Sequence, residues 1–194
     1  MNYTLQSILA AILLVLTLPL LLLTALGCVL FSGFPVLFTS SRIGRDKKYF
    51  TLYKFRTMKK SAAPPHMTAD QQQEWQQFGK LKNDDRVTGY GHFLRRLSLD
   101  ELPQLWNVVR GEMALVGPRP IVDSEDVIYG RSSERIHSVK PGITGLWQVS
   151  GRNLIEYRRR IAINRYYVAH RSFKLDLWIM YRTVWAVIGG RGAF

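Results

Sequence analysis

The chain has 194 residues, 47% of them hydrophobic, which is enough for one domain with a real core and excludes a disordered basic tail. Lys and Arg outnumber Asp and Glu by 27 to 14, a formal charge of +13, so the partners to expect are anionic: nucleic acid, acidic lipid or phosphorylated small molecules. A single cysteine excludes an internal disulfide framework, a cysteine-rich zinc site and a CxxC redox pair.

The charge is unevenly placed. Residues 1–41 contain no Asp, Glu, Lys or Arg, and residues 8–31 are apolar except at Thr17, Pro19, Thr24 and Gly27. A straight helix over that stretch would be about 36 Å long, more than the roughly 30 Å hydrocarbon core of a bilayer. No basic side chain precedes it, which argues against a cleaved secretory signal. Arg42, Arg45, Lys47, Lys48, Lys54, Arg56, Lys59 and Lys60 follow it against Asp46 alone. The positive-inside rule puts that flank on the cytoplasmic side, where its charges can rest on anionic headgroups. Pro19 near the middle fits two topologies. Hydropathy favours a kinked span; the other reading is a dip that enters and leaves through one face.

Residues 34–39 and 49–56 are rich in aromatic and β-branched side chains, and Gly44-Arg45-Asp46 between them is a turn signal, so a hairpin is expected. Ala62, Ala63, Pro64 and Pro65 then lead into a glutamine-rich run to Lys80 with few apolar anchors except Trp75 and Phe78. That composition predicts a short helix inside a long loop, either a solvated connector or a lid. Residues 91–96 read as a short helix carrying Arg95 and Arg96. In 99–110, Leu102, Leu105, Trp106 and Val109 share a helical face. Pro103 is tolerated only within the first turn, so a register with Asp100 as N-cap is preferred, despite the Ser98-x-x-Glu101 capping pattern.

That register puts two adjacent carboxylates at the positive end of a helix. They either cap it or reach a common metal or phosphate. The helix terminus and Arg95 and Arg96 favour an ionised Asp100, which suits a nucleophile or an Mg²⁺ ligand better than a general acid. Further on, Arg119 is bracketed by Pro118 and Pro120, and Gly151-Arg152-Asn153 follows a glycine-rich stretch at 140–148. Both are turn scaffolds able to aim an arginine and amide donors at an anion. Arg95 and Arg119 are the leading phosphate contacts, followed by Lys54, Arg56 and Arg152. The chain lacks a Gly-Lys-Ser/Thr P-loop ending and a Gly-x-Gly-x-x-Gly fingerprint, which sets aside ATP and dinucleotide cofactors. Near the C-terminus Arg158, Arg159, Arg160 and Arg165 form a basic patch. Ser172 can cap a helix on which Trp178, Tyr181, Trp185 and Ile188 recur at helical spacing, as core or as a face lying on the bilayer. Asp176 on it can cap, pair with a basic group, or brace the domain. A membrane-tethered nucleic-acid-binding protein is the alternative that charge alone allows, but no recognition helix or RNA-binding aromatic module is legible.

Several strings, in order, carry a closer likeness: Arg42-Ile-Gly44, Tyr53-Lys-Phe-Arg-Thr-Met58, Asp85-Arg-Val-Thr88, Ser98-Leu-Asp-Glu-Leu-Pro-Gln-Leu-Trp-Asn107, Gly111-Glu-Met-Ala-Leu-Val-Gly-Pro-Arg-Pro120 and Lys140-Pro-Gly-Ile-Thr-Gly145. From about Gly33 to the C-terminus the sequence resembles the bacterial sugar transferase family, the monotopic polyprenyl-phosphate phosphoglycosyl transferases, in their minimal catalytic form. The resemblance implies a small membrane-associated α/β domain. Residues 1–33 would be a re-entrant membrane element broken near Pro19, and residues 34–194 a transferase domain with interfacial C-terminal helices on the cytoplasmic face of the bacterial inner membrane.

It also implies an activity: transfer of a sugar-1-phosphate from a UDP-sugar to polyprenyl (undecaprenyl) phosphate, releasing UMP and initiating glycoconjugate synthesis such as exopolysaccharide or O-antigen. Asp100 would be the nucleophile of a covalent phospho-sugar intermediate, and Asp100 and Glu101 would hold Mg²⁺. Anionic lipid is an expected partner, nucleic acid is not, and a homodimer fits a membrane-surface enzyme. A non-catalytic scaffold keeping the fold is the competing reading. The sequence departs from the family pattern at Ser40, Asn164 and His170, and lacks a Lys-Arg-x-x-Asp stretch before the membrane element; none of these touches the expected catalytic groups.

Overall fold

The computed structural model describes residues 1–59, 67–78, 81, 83–190 and 192; the alanine–proline stretch at 62–65, together with Lys60 and Lys80, lies outside them. The apolar N-terminal run forms two helices, α1 (Tyr3–Leu16) and α2 (Leu18–Ser32), which meet at Thr17 with a bend of 62°. The break expected near Pro19 is therefore present, two residues earlier. Pro19 falls in the first turn of α2, where its missing N–H is not needed. Thr17 closes α1 by donating its amide and its hydroxyl to the Leu13 carbonyl at 2.8 and 2.7 Å. Among the described residues no single helix is long and apolar enough to cross a membrane, whereas the bent pair meets that test by length and composition.

The two helices have different surroundings. α1 packs on α5 (Gln104–Val109) and β3 (Ala114–Val116). Its Gln6 is buried, with Oε1 accepting from the amides of Leu115 at 2.7 Å and Val116 at 3.3 Å. Ser7 Oγ donates to the Val108 carbonyl at 2.9 Å. α2 rests on α4 (Gly89–Arg96) through Cys28, Leu94 and the Phe31–Tyr90 ring pair, and leaves Leu22, Leu23, Leu26 and Leu30 exposed.

The expected hairpin is formed by β1 (Leu37–Ile43) and β2 (Tyr49–Phe55), antiparallel, with Leu37 opposite Phe55 and Ile43 opposite Tyr49. The turn between them is a 3-10 turn in which Asp46 and Lys47 have positive φ. Phe50, Leu52 and Phe55 point into the core. The short helix expected in the glutamine-rich segment is α3 (Ala69–Phe78), whose Gln77 donates to Glu156 Oε1 at 3.0 Å.

A second small sheet was not legible in the sequence. β3 pairs in parallel with β4 (Gly142–Thr144), Ala114 opposite Gly142 and Val116 opposite Thr144. Three residues beginning with glycine give no alternation to read. Gly142 is needed because a methyl group there would lie on the amide nitrogen of Gly117. Among the described residues the fold is thus α/β with two separate two-stranded sheets.

Helices α6 (Asp123–Tyr129), α7 (Ser133–His137), α8 (Leu146–Ser150), α9 (Tyr157–His170) and α10 (Phe173–Gly189) complete the chain. The main core joins Ala10, Leu52, Val108, Met113, Val116, Tyr167 and Ile179 from six elements. Asp176 is a brace: it is fully buried, its Oδ1 accepts from the Tyr167 hydroxyl at 2.8 Å and its Oδ2 lies 2.6 Å from the Met1 amine. Asn164 is buried too and donates to the Tyr129 hydroxyl at 3.4 Å.

The α10 stripe is surface rather than core. Trp178, Tyr181, Trp185 and Ile188 are between 47% and 70% exposed, on a helix capped as expected by Ser172. The basic patch on α9 needs one correction. Arg158, Arg159 and Arg165 are exposed, but Arg160 is buried: it donates to the carbonyls of Ile155 and Asn153 and lies 4.8 Å over the Trp147 ring. Its family of contacts closes the base of the loop before α9, so its charge is not available to lipid.

Candidate active site

The turn that carries the two carboxylates starts earlier than expected. Ser98, in the left-handed region at φ 56°, precedes a helical backbone that begins as a 3-10 turn at Leu99–Glu101 and continues into α5. Asp100 is therefore inside the first turn and is not its N-cap, and Ser98 makes no side-chain capping bond. The proline is accommodated by the tighter turn. In an α-helix the Pro103 ring would meet the Leu99 carbonyl. Here that carbonyl instead accepts from the Leu102 amide at 3.2 Å, an i→i+3 bond.

The carboxylates face a cavity of about 950 Å³ bounded by the β1–β2 hairpin, the end of α4, the Ser98–Leu102 turn, the Arg119 loop, α8 and α10. Every expected site residue lines it: Lys54, Arg56, Arg95, Asp100, Glu101, Arg119 and Arg152. Glu101 ties two of them together, since its Oε1 accepts from Lys54 Nζ at 2.7 Å and from Arg119 Nη1 at 3.1 Å. Arg95 Nε donates to Thr57 Oγ1 at 3.1 Å, and Arg152 Nη2 donates to Ser98 Oγ at 3.2 Å, so a hydroxyl helps to orient each arginine. Asp100, 8% exposed, lies in the field of Arg95, Arg119 and Arg152.

Arg56 differs from the others. It borders the cavity, but its guanidinium donates to the carbonyls of Ser32, Gly33 and Phe34, satisfying the otherwise bare C-terminus of α2. It fastens the apolar element to the wall of the site.

Burial pulls the guanidinium values of Arg95 and Arg152 down, opposed by Asp100 and Asp84 at Arg95 and by Glu101 and Asp100 at Arg152. Arg119 goes the other way: burial works against its charge, but Glu101 and Glu125 outweigh it. The site holds concentrated positive charge at an electrostatic cost that a bound anion would relieve. Sequence reasoning had assigned Arg42 to the lipid-facing flank, and Arg86 had no role. Both line the cavity, where Arg86 is held by Asp84 through bonds of 2.8 and 2.6 Å. The Asp84-x-Arg86 spacing was the available signal for the latter. Leu37 and Phe38, both exposed, add apolar lining, and Trp147 and Gln148 line the cavity as well.

Among the described residues no group of three His, Cys, Asp or Glu side chains converges. The donors present nevertheless suit Mg²⁺, which takes one or two protein carboxylates and completes its shell with phosphate oxygens and water. Asp100 and Glu101 are the two carboxylates that line the cavity among the described residues.

A family model described as Bacterial sugar transferase matches residues 1–190. The chain is 44% identical over 184 residues to the UDP-galactose-lipid carrier transferase of Erwinia amylovora, covering 90% of this chain and 38% of that protein. It is 42% identical over 194 residues to the exopolysaccharide production protein ExoY of Sinorhizobium fredii, covering 97% and 86%. Against the undecaprenyl-phosphate galactose phosphotransferase of Salmonella typhimurium it is 42% identical over 167 residues, covering 84% and 35%. The chain therefore spans little more than a third of two of these relatives and most of the other.

Proposed function

The chain belongs to the bacterial sugar transferase family, and from that premise we propose that it transfers a sugar-1-phosphate from a UDP-sugar to polyprenyl phosphate, with Asp100 as nucleophile. The observation that carries this reading is the buried Asp100 carboxylate, in the field of three arginines, in a cavity whose lining includes Arg56, the residue that binds the end of the apolar helix α2.

The donor's diphosphate enters from water and is gripped by the arginines, with Lys54 and Arg119 held in place by Glu101. An Asp100 oxygen attacks the sugar-linked phosphorus, the bond from that phosphorus to the bridging oxygen breaks, and UMP leaves with the electron pair. The resulting acyl phosphate is reactive enough for a second displacement. A phosphate oxygen of the lipid attacks the same phosphorus, releasing the Asp100 carboxylate and forming the polyprenyl-diphospho-sugar. Asp100 and Glu101 would hold Mg²⁺, which supplies charge neutralisation at the diphosphate. Incubated with a panel of UDP-sugars, radiolabelled in the sugar, and with polyprenyl phosphate, the protein should release UMP and form a lipid-linked sugar from one dominant donor class. EDTA should abolish turnover and Mg²⁺ restore it; undiminished transfer in EDTA would remove the metal from this account.

The same reading places the bent α1–α2 pair in the cytoplasmic leaflet as a re-entrant element, with the exposed stripe of α10 and Arg158, Arg159 and Arg165 of α9 on the headgroups. This supports the transfer chemistry, because the lipid phosphate cannot leave the interface. Replacing both Leu23 and Leu30 by Glu should cut flotation with anionic lipid vesicles at least about tenfold, since each charge carried into hydrocarbon costs roughly 2.5 kcal/mol or more. Flotation equal to the unmodified protein would sink the membrane placement of α2.

A further inference from the structure

The arginine that closes the Gly-Pro-Arg-Pro turn does not stand by itself. Arg42, from the hairpin, faces the same cavity, and the two strands of chain that carry them are joined by the Ile43 amide donating to the Ile121 carbonyl at 2.9 Å. Two guanidinium groups so placed repel each other, and Arg42 feels both burial and the charge of Arg119. Each is partly restrained: Arg42 Nε donates to Ser40 Oγ at 2.9 Å, and Arg119 is on Glu101. Glu101 is the charged one of these restraints and its field also reaches Arg42, but it lines the cavity where the donor would sit; a negative charge outside the cavity is a separate requirement.

Glu125 supplies that charge. It is the third residue of α6 and does not line the cavity. Its Oε2 lies 3.5 Å from Arg42 Nη1 and accepts from the Val122 amide at 3.1 Å, and its charge is also felt by the Tyr157 hydroxyl. The carboxylate is thus fixed from two sides, behind the arginines rather than among the groups a substrate would touch. We propose that Glu125 is a positioning residue for the donor: an anion seated behind Arg42 and Arg119 that offsets their mutual repulsion and keeps both guanidinium groups turned into the cavity as one clamp for a diphosphate. This rests on the reading of the donor as a nucleotide diphosphate sugar.

The clamp needs two arginines because a diphosphate spreads its charge over two phosphorus centres, and two planar forks can each take a pair of its oxygens. A carboxylate facing the ligand would repel it. One placed behind the arginines stabilises them in the empty site and leaves their outward N–H groups for the ligand.

The test is Glu125→Gln, which keeps an oxygen for the Val122 amide but removes the charge. The midpoint of thermal unfolding should stay within a few degrees of the unmodified protein. The KM for the nucleotide-sugar donor should rise about five- to twentyfold, with kcat changed much less, and Glu125→Asp should recover part of the loss. Removal of the repelling partner supplies the decisive arm. In an Arg42→Met background, where there is little repulsion left to offset, Glu125→Gln should change donor KM by less than about twofold. An unchanged KM in the single variant, or the same fold-loss with and without Arg42, would overturn the proposal. Calorimetric titration of inorganic pyrophosphate into the same variants separates this from the proposed reaction. If no donor is turned over but pyrophosphate binding still weakens in Glu125→Gln only when Arg42 is present, the reaction assignment fails and the clamp stands.

Discussion

Asp100→Asn should lose at least about 10³-fold in the rate of UMP release, equivalent to roughly 4 kcal/mol of transition-state stabilisation, while folding to a protein of similar thermal stability. The substitution keeps the volume of a side chain that is only 8% exposed, so packing in the turn is preserved. What it removes is the anionic oxygen that would form the bond to phosphorus, leaving a neutral amide oxygen that is a poor nucleophile. The arginines remain, so donor should still bind. The informative measurement is covalent: donor labelled in the sugar, rapid acid quench, and location of the label on the chain. Label should reach Asp100 in the unmodified protein and be absent from the Asn variant. Glu101→Gln makes the contrast, because Glu101 orders Lys54 and Arg119 and the proposed attack is made by its neighbour. That variant should still become labelled, more slowly. Label retained by Asp100→Asn, or found on Glu101, would remove Asp100 from the role given to it.

Much of this site could be read before any coordinates because its members lie in short, strongly marked strings. Asp100 and Glu101 adjoin a proline, Arg119 stands between two, and Arg152 is in a glycine-rich turn; all enter one cavity. The bend in the apolar run was legible for the same reason, since proline acts locally. What escaped was set by tertiary contacts. The helix start was misjudged because an α-helical hydrogen-bond scheme was assumed, and the 3-10 turn at Leu99–Glu101 removes the conflict with Pro103 that excluded it. Arg56 and Arg160 read as free charges because sequence shows the guanidinium but not the bare carbonyls it serves, at the end of α2 and before α9. Arg42 read as a headgroup contact because its neighbours in the chain are basic, whereas its neighbour in space is Glu125. The strands β3 and β4 are too short to show a period, and their pairing is fixed by two glycines brought together from distant parts of the chain.

Asn107→Ala should destabilise the fold by about 3 kcal/mol or more, the largest stability effect expected of a single polar side chain here. Asn107 is completely buried at the centre of α5 and joins that helix to β2 and to the turn at Glu112. Its Nδ2 donates to the Thr51 carbonyl at 2.7 Å and to Glu112 Oε2 at 2.7 Å, while its Oδ1 accepts from the Tyr53 amide at 3.3 Å. The first and last of these act on strand β2 from the side opposite its partner β1, so the carboxamide stands in for a missing neighbouring strand. Deleting it takes this partner from the Tyr53 amide, the Thr51 carbonyl and one oxygen of the Glu112 carboxylate, groups that cost up to roughly 1–3 kcal/mol each when left unpaired away from water. The site would feel this directly, because Lys54 is the next residue along the strand after Tyr53 and must reach Glu101 Oε1 at 2.7 Å. Chemical denaturation should therefore show a lower midpoint with an unchanged slope, and at temperatures where the variant is still folded its donor KM should rise as Lys54 loses its register. Asn107→Asp gives the same shape with a carboxylate facing Glu112, and should be worse than Ala rather than better. A stability loss below about 1 kcal/mol for Asn107→Ala would mean that β2 is held by its hairpin partner alone, and that the wall of the active site does not depend on the helix behind it.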